Sequence, residues 1–181
     1  MSNGSDFESA KRYLGQKMYH KAAYILTQLD NSDVLVTNML GYIYAQKEWT
    51  QSDSEKAIYY YEFGAKTGSG YALHGLGGQM MELGDKDTAL KYYILGSDVG
   101  DKQCAFAAYH LLKQKKRTPE ANNMLEVAAR AGHPFALRNI SIEMILGRRG
   151  IVNIIPGLVR WIVSVPKILS YAKGRSYYKN L

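Results

Sequence analysis

Cysteine is nearly absent from this chain of 181 residues, which contains a single one, Cys104. One thiol can form neither an intramolecular disulfide nor a thiolate metal cluster within one chain. Because disulfides are used mainly in oxidising compartments, a lone cysteine fits a reducing one. The first residues also lack a basic segment followed by an apolar one, so no secretory signal peptide is predicted. These absences are consistent with a cytoplasmic location.

The side-chain patterns of metal, nucleotide and catalytic sites are also missing from the sequence. No two of the four histidines are three or four residues apart, so no helical metal site is indicated. The glycine-rich run at residues 75–78 lies in a predicted helix with no strand before it, unlike a phosphate-binding loop. The basic run at residues 113–117 has no nucleic-acid motif beside it. We therefore predict no catalytic residue, no metal, no cofactor and no nucleic-acid partner.

Acidic residues are scarce in the last quarter of the chain. Residues 1–137 contain fifteen basic and fifteen acidic side chains, whereas residues 138–181 contain eight basic ones and a single acid, Glu143. The net charge of +7 therefore comes entirely from the last quarter. A neutral body with a basic tail predicts a separate task for the tail, most often contact with an anionic surface.

Residues of the same class recur every 32 positions through the middle of the chain, beginning with Ala57, Ala89 and Ala121. The other columns are Tyr60/Tyr92/Met124, Tyr61/Tyr93/Leu125, Gly64/Gly96/Ala128, Gly68/Gly100/Gly132 and Ala72/Cys104/Ala136. Self-similarity at this period predicts a stacked array of helix pairs. Because helices approach closely only where side chains are small, the alanine and glycine columns are the predicted contact points.

Capping motifs mark the ends of the second helix in each pair. The sequence Ser52-Asp53-Ser54-Glu55 has the form of a capping box, and Thr118-Pro119 offers an N-cap followed by proline. Gly68, Gly100 and Gly132 are predicted to close these helices in the left-handed conformation that glycine adopts easily. No strand pattern is convincing, so the predicted fold class is all-α.

Three segments resemble the Sel1-like repeat: residues 38–44 (NMLGYIY), 53–65 (DSEKAIYYYEFGA) and 68–77 (GSGYALHGLG). They are similar to that family's LG-x-x-Y helix, its D-x-x-KA-x-x-YY-x-x-AA helix and its closing glycine. The resemblance covers about residues 36–152. A later unit departs from the pattern, because Ala108-Tyr109 stands where the family has its LG pair.

The resemblance implies a right-handed α-solenoid of Sel1-like and TPR-like helix-turn-helix repeats that holds a partner protein in a concave groove. The predicted solenoid covers residues 1–150, divided into repeats 7–35, 36–71, 72–103, 104–135 and a half-unit 136–150. Residues that are aligned on the first helices of successive repeats are the predicted partner-binding residues. They are Asn38, Tyr42, His74, Phe106, His110 and Arg138.

The basic, apolar C-terminal segment, residues 151–181, has its apolar residues at helical spacing, with Pro156 and Pro166 placed to kink or break the helix. Three alternatives stay open: a membrane span, an amphipathic helix lying on an anionic membrane, and a helix that covers the apolar end of the repeats. A span would place Arg160 near the bilayer centre, at a cost of about 2.5–3.5 kcal/mol. The predicted membrane contacts are Arg148, Arg149, Ile154, Ile155, Leu158, Trp161, Ile162, Val165, Lys167 and Ile168, flanked by Lys173, Arg175 and Lys179.

The predicted function is that of a non-enzymatic scaffold or adaptor. It would be cytoplasmic and docked peripherally at the inner face of a membrane through its C-terminal segment. Two alternatives remain: a soluble regulatory or cell-envelope/polysaccharide-assembly accessory protein whose last helix caps the solenoid, and a hydrolase like some secreted Sel1 proteins.

Overall fold

The computed structural model describes residues 3–50 and 52–172, which form ten α-helices and one short 3-10 turn, with no β-strand among them. In chain order the elements are α1 (Asn3–Gly15), α2 (Tyr19–Leu26), α3 (Val34–Tyr44), α4 (Ser54–Lys66), α5 (Gly70–Glu82), α6 (Lys86–Asp98), α7 (Lys102–Gln114), α8 (Thr118–Arg130), α9 (Pro134–Ile145), the 3-10 turn (Ile151–Asn153) and α10 (Ile154–Ala172). The all-α prediction is confirmed. The chain divides into two compact units between Tyr92 and Tyr93, and the domain boundary predicted at residue 150 stays a prediction.

Aspartate side chains cap several of these helices, among them α3, α4 and α7. Asp53 accepts a hydrogen bond from the backbone N–H of Lys56 at 3.0 Å, so this residue, and not Ser52, caps α4. The N-cap predicted at Thr118 is wrong by one residue. Arg117 holds that position without a side-chain cap bond, and Thr118 is the first residue of α8.

The glycines predicted to end helices do so. Gly68, Gly100 and Gly132 have φ angles of +81°, +89° and +80°, in the left-handed region where a side chain is strained. Each of them follows the last turn of a second helix and lets the chain reverse into the next first helix.

The first unit packs α3 against α4 and α4 against α5. Its buried cluster contains Ala57, Tyr61, Ala72 and Leu76. The ring of Tyr61 fills the space over a glycine of α5, because a Cβ atom on Gly75 would lie 2.5 Å from the Tyr61 Cζ. The repeated alanines thus lie in the core, as their column predicted.

The second unit packs α7 against α8, α8 against α9 and α9 against α10. Residues at the same positions of the 32-residue repeat are buried in this unit as well. The buried members are Cys104, Ala121, Leu125, Ala128 and Ala136.

Candidate functional site

The predicted contact residues of the first unit lie on α3 and α5, and one of them is buried. Asn38 is only 2% exposed and donates its Nδ2 hydrogen to Ser69 Oγ at 3.0 Å. Ser69 in turn accepts from the N–H of Ala72 and caps α5. A Cβ on Gly64 would come within 2.4 Å of Asn38 Oδ1, so this glycine makes room for the amide. Asn38 therefore joins helices and presents no surface to a partner, contrary to its predicted role.

Tyr42 and His74 are the half-buried members of the predicted surface in this unit. Tyr42 lies one helical turn beyond Asn38 on α3, and His74 lies near the start of α5. The two helices contact each other within the first unit.

Two of the predicted residues of the second unit, Phe106 and His110, meet in an aromatic cluster. The rings of Phe106 and His133 are stacked with centroids 4.1 Å apart, and His110 meets the Phe106 ring edge-on at 4.5 Å. Phe135 extends the cluster at 6.3 Å from Phe106. Phe106 is half-buried as a result, whereas His110 and Arg138 are exposed. Phe106 thus supports the cluster, and His110 and Arg138 are the accessible predicted residues of this unit.

The environment of His110 favours its neutral form. Partial burial of the ring lowers the pKa of His110, and the charge of Lys113, one turn further along α7, lowers it as well. A neutral imidazole has one nitrogen that donates a hydrogen bond and one that accepts. The His110 side chain can therefore bond to either a donor or an acceptor on a partner.

His133 holds the cluster in place and is not among the predicted contacts. It is the N-cap of α9, where its Nδ1 accepts from the N–H of Ala136 at 3.4 Å, and its Nε2 lies 3.1 Å from Gln103 Oε1. The 32-residue repeat in the sequence already indicated that His133 is an N-cap. Ser69, Asp101 and His133 are 32 residues apart, and each caps the first helix of its repeat.

Helix α10 packs against α9 through its small residues. Gly157 is buried, and a Cβ atom on it would lie 2.6 Å from the Cβ of Met144 and 3.1 Å from the carbonyl oxygen of Ser141. Ser164, two turns later, is also buried and donates its hydroxyl hydrogen to the Trp161 carbonyl at 2.7 Å. This face lets the two helix backbones approach closely.

The apolar side of α10 is consequently turned outward. Ile155 and Ile162 retain 74% and 57% of their accessible surface. The other predicted contacts Ile154, Leu158 and Trp161 are exposed as well, while Val165 and Ile168 are half-buried. The helix thus covers α9 with its small-residue face and not with the predicted apolar stripe. It also continues through Pro166, where a break was considered.

The charged residues near α10 differ in their environments. Arg160 and Lys167 are exposed and seven residues apart, so they lie on the same side of the helix. Arg148 is exposed too. Arg149 is held by two carboxylates, with its Nε 2.7 Å from Glu143 and its Nη1 bonded to Glu126, so its predicted membrane contact is not supported. The flanking Lys173, Arg175 and Lys179 lie outside the described residues.

Within residues 3–50 and 52–172, no group of three or more His, Cys, Asp or Glu side chains is placed to hold a metal ion. Of the helices in these ranges, none combines the length and the apolarity needed to cross a bilayer.

Solved structures with a similar backbone are helical-repeat proteins. A Sel1 repeat protein from Oxalobacter formigenes has a TM-score of 0.71 and 19% identity, covering 89% of this chain and 69% of that one. A MamA protein has a TM-score of 0.58 and 14% identity, covering 97% and 96%. YrrB, described as a TPR protein with an unusual peptide-binding site, has a TM-score of 0.54 and 18% identity, covering 93% and 90%.

Sequence comparison alone finds no such relatives. No family model matches the chain, and no curated protein matches it. The structural likeness, at these low identities, is one of fold. The chain has the all-α helix-turn-helix repeat fold seen in Sel1 and TPR proteins, as the resemblance of its repeats to the Sel1 pattern implied.

Proposed function

We propose that the protein is a non-enzymatic interaction scaffold that binds a partner protein through its first helices and docks on an anionic membrane through α10. Partner binding would use Tyr42 and His74 in the first unit and the surface around Phe106, His110 and Arg138 in the second. YrrB, a TPR protein with an unusual peptide-binding site, is an example of a similar fold that carries such a site, which supports the proposal.

The accessible residues of the second unit favour partner binding. His110 and Arg138 are exposed polar groups, and the stacked rings of Phe106 and His133 lie beside His110. Aromatic and arginine side chains are enriched in protein interfaces because they offer apolar area together with directional hydrogen bonds. Phe106 is a poor site for a test, since its loss would also remove the stacking on His133.

The test for partner binding uses the two exposed residues. His110→Ala with Arg138→Ala should remove the main partner from affinity purification of the tagged protein, measured by quantitative mass spectrometry. Because both side chains are exposed, the melting temperature should change little. Asn122→Ala, an exposed polar change on α8, is the matched control. Full recovery of every co-purified protein with the double variant would defeat this part of the proposal.

Membrane docking rests on one observation, the outward-facing apolar side of α10. Ile155 and Ile162, exposed in this structure, would each contribute up to about 1.5–3 kcal/mol when fully buried. Arg160 and Lys167 flank this side, and a basic residue near an anionic leaflet adds about 1 kcal/mol. An amphipathic helix of this kind lies in the interface with its apolar face in the lipid.

Vesicle flotation tests the docking. The protein should float with vesicles that contain phosphatidylglycerol, and less with vesicles of pure phosphatidylcholine. Ile155→Asp with Ile162→Asp should reduce binding at least about tenfold, since two buried apolar side chains are lost and two negative charges are added. Leu83→Asp, an equally exposed apolar residue at the end of α5, should leave binding unchanged. Undiminished flotation of the double variant would refute docking through α10.

A further inference from the structure

A groove of about 540 Å³ runs between α9 and α10 in the second unit. One side is Leu137 of α9, and the other is the row Ile155, Val159 and Val163 of α10. These three residues are four positions apart, so they form a continuous apolar ridge about 12 Å long. The groove thus has the volume of a small-molecule site, about 300–1,000 Å³ in proteins, and an apolar lining.

Two cations also border the groove. Arg160 and Lys167 belong to its lining, and α10 contains no Asp or Glu. The one acidic residue between positions 138 and 181, Glu143, is bonded to Arg149. The groove therefore combines an apolar floor with a positive edge. This is the complement of a molecule with an apolar chain and an anionic head.

The width of the groove argues against a protein helix as its occupant. Gly157 brings α10 close to α9, and packed helices have axes about 8–10 Å apart. A further helix is about 10–12 Å across with its side chains and would rest on the outer ridges without entering the groove. An extended hydrocarbon chain is thin enough to lie between the two helices.

We propose that this groove binds one acyl chain of an anionic phospholipid, whose phosphate is held by Arg160 and Lys167. The inference rests on the proposed docking of α10, because a bilayer is where such a lipid would be met. The guanidinium of Arg160 can donate two parallel hydrogen bonds to a phosphate, and Lys167 adds a second positive charge. Docking would then involve one specifically held lipid as well as the general apolar face.

The experiment compares two neighbouring residues on the full chain. Val159→Trp fills the groove, whereas Leu158→Trp adds the same bulk at the next residue, which does not line it. Both residues are about half exposed, so both variants should fold. The ligands are dihexanoyl phosphatidylglycerol and dihexanoyl phosphatidylcholine, kept below their micelle-forming concentrations and titrated by calorimetry. Flotation with phosphatidylglycerol vesicles is measured in parallel.

The expected result separates the variants. The wild type and Leu158→Trp should bind the monomeric phosphatidylglycerol equally, and Val159→Trp should lose at least about tenfold in affinity while still floating with vesicles. Arg160→Gln should weaken binding of phosphatidylglycerol about fivefold, and the wild type should bind phosphatidylcholine more weakly than phosphatidylglycerol, because the choline group offsets the charge of the phosphate.

Other outcomes discriminate between the two proposals. Flotation of the wild type without binding of the monomeric lipid, or equal lipid binding by Val159→Trp, would overturn the groove assignment and leave the docking intact. Lipid binding without flotation would remove the docking and keep the groove. A dimer that Val159→Trp dissociates in analytical ultracentrifugation, together with absent lipid binding, would assign the groove to a second copy of the chain and overturn the proposal.

Discussion

Gly157 of α10 lies directly against Met144 of α9, so closely that a Cβ atom on the glycine would be 2.6 Å from the Met144 Cβ. The backbone nitrogen of Ile145 would be 3.1 Å from the same atom. This contact decides which side of α10 faces the protein. Because only a residue without a side chain fits here, the small-residue face is turned inward and the apolar face outward.

Gly157→Ala should therefore loosen α10. The added methyl group meets a side chain and backbone at once, so overpacking should reduce the free energy of unfolding by about 1–3 kcal/mol. Chemical denaturation followed by circular dichroism measures this change. Adding Met144→Ala should give no recovery, because alanine keeps the Cβ atom that the new methyl group meets and the shortened side chain leaves a cavity. Equal stability of Gly157→Ala and the wild type would contradict the close packing.

A pair of glycines in α5 should respond in opposite directions to the same substitution. A Cβ on Gly75 would lie 2.5 Å from the Tyr61 ring, whereas a Cβ on Gly78 would meet nothing within 4 Å. Gly75→Ala should destabilise the protein by about 1–3 kcal/mol. Gly78→Ala should stabilise it by about 0.5–1 kcal/mol, since glycine inside a helix loses more backbone entropy on folding. Thermal melts of the two variants, one helical turn apart, give the comparison.

Asp101 is one of the three N-cap residues that recur every 32 positions, and its contribution to stability can be measured. Its Oδ1 accepts from the N–H of Cys104 at 2.8 Å at the start of α7. Asp101→Ala should cost about 1 kcal/mol in the free energy of unfolding, whereas Asp101→Ser retains a capping oxygen and should cost only a fraction of that. Urea denaturation of both variants checks this order. A loss as large for serine as for alanine would show that the cap bond is not the cause.

Alkaline pH should destabilise the second unit. Burial, followed by the nearby Cys104, raises the pKa of Tyr93 to about 12. Burial, with Asp101 next, also raises the pKa of the Cys104 thiol above its ordinary value of 9.0. For both groups the pKa in the folded state is higher than in the unfolded state. Their contribution to the free energy of unfolding is therefore complete below about pH 9 and is lost as the pH rises further.

Equilibrium unfolding at a series of pH values measures this effect. Tyr93→Phe keeps the ring and removes the ionising hydroxyl, so its stability should fall less steeply than that of the wild type above about pH 10. Tyr24→Phe, at an exposed tyrosine of α2, is the control and should keep the wild-type slope. If Tyr93→Phe shows the same slope as the wild type, Tyr93 is not responsible for the alkaline loss.

Some of the proposed binding surface could be predicted from the sequence and some could not. The column positions placed His110 and Arg138 on first helices, and both are exposed. The same columns placed Asn38 there, but its amide is buried against Gly64 and bonded to Ser69. Periodicity assigns a residue to one side of a helix. How deeply that residue is buried depends on the helices that pack against this side.

The sequence by itself determined the repeated helical hairpins. The interval of 32 residues, the alanine and glycine columns and the closing glycines are local features, and each acts through backbone conformation or side-chain volume within a few turns. Only the tertiary structure decided the orientation of α10, the engagement of Arg149 by Glu126 and Glu143, and the stacking of His133 on Phe106. These depend on which surfaces of distant residues fit together, and the spacing of apolar residues along one helix carries no information about the shape of its partner.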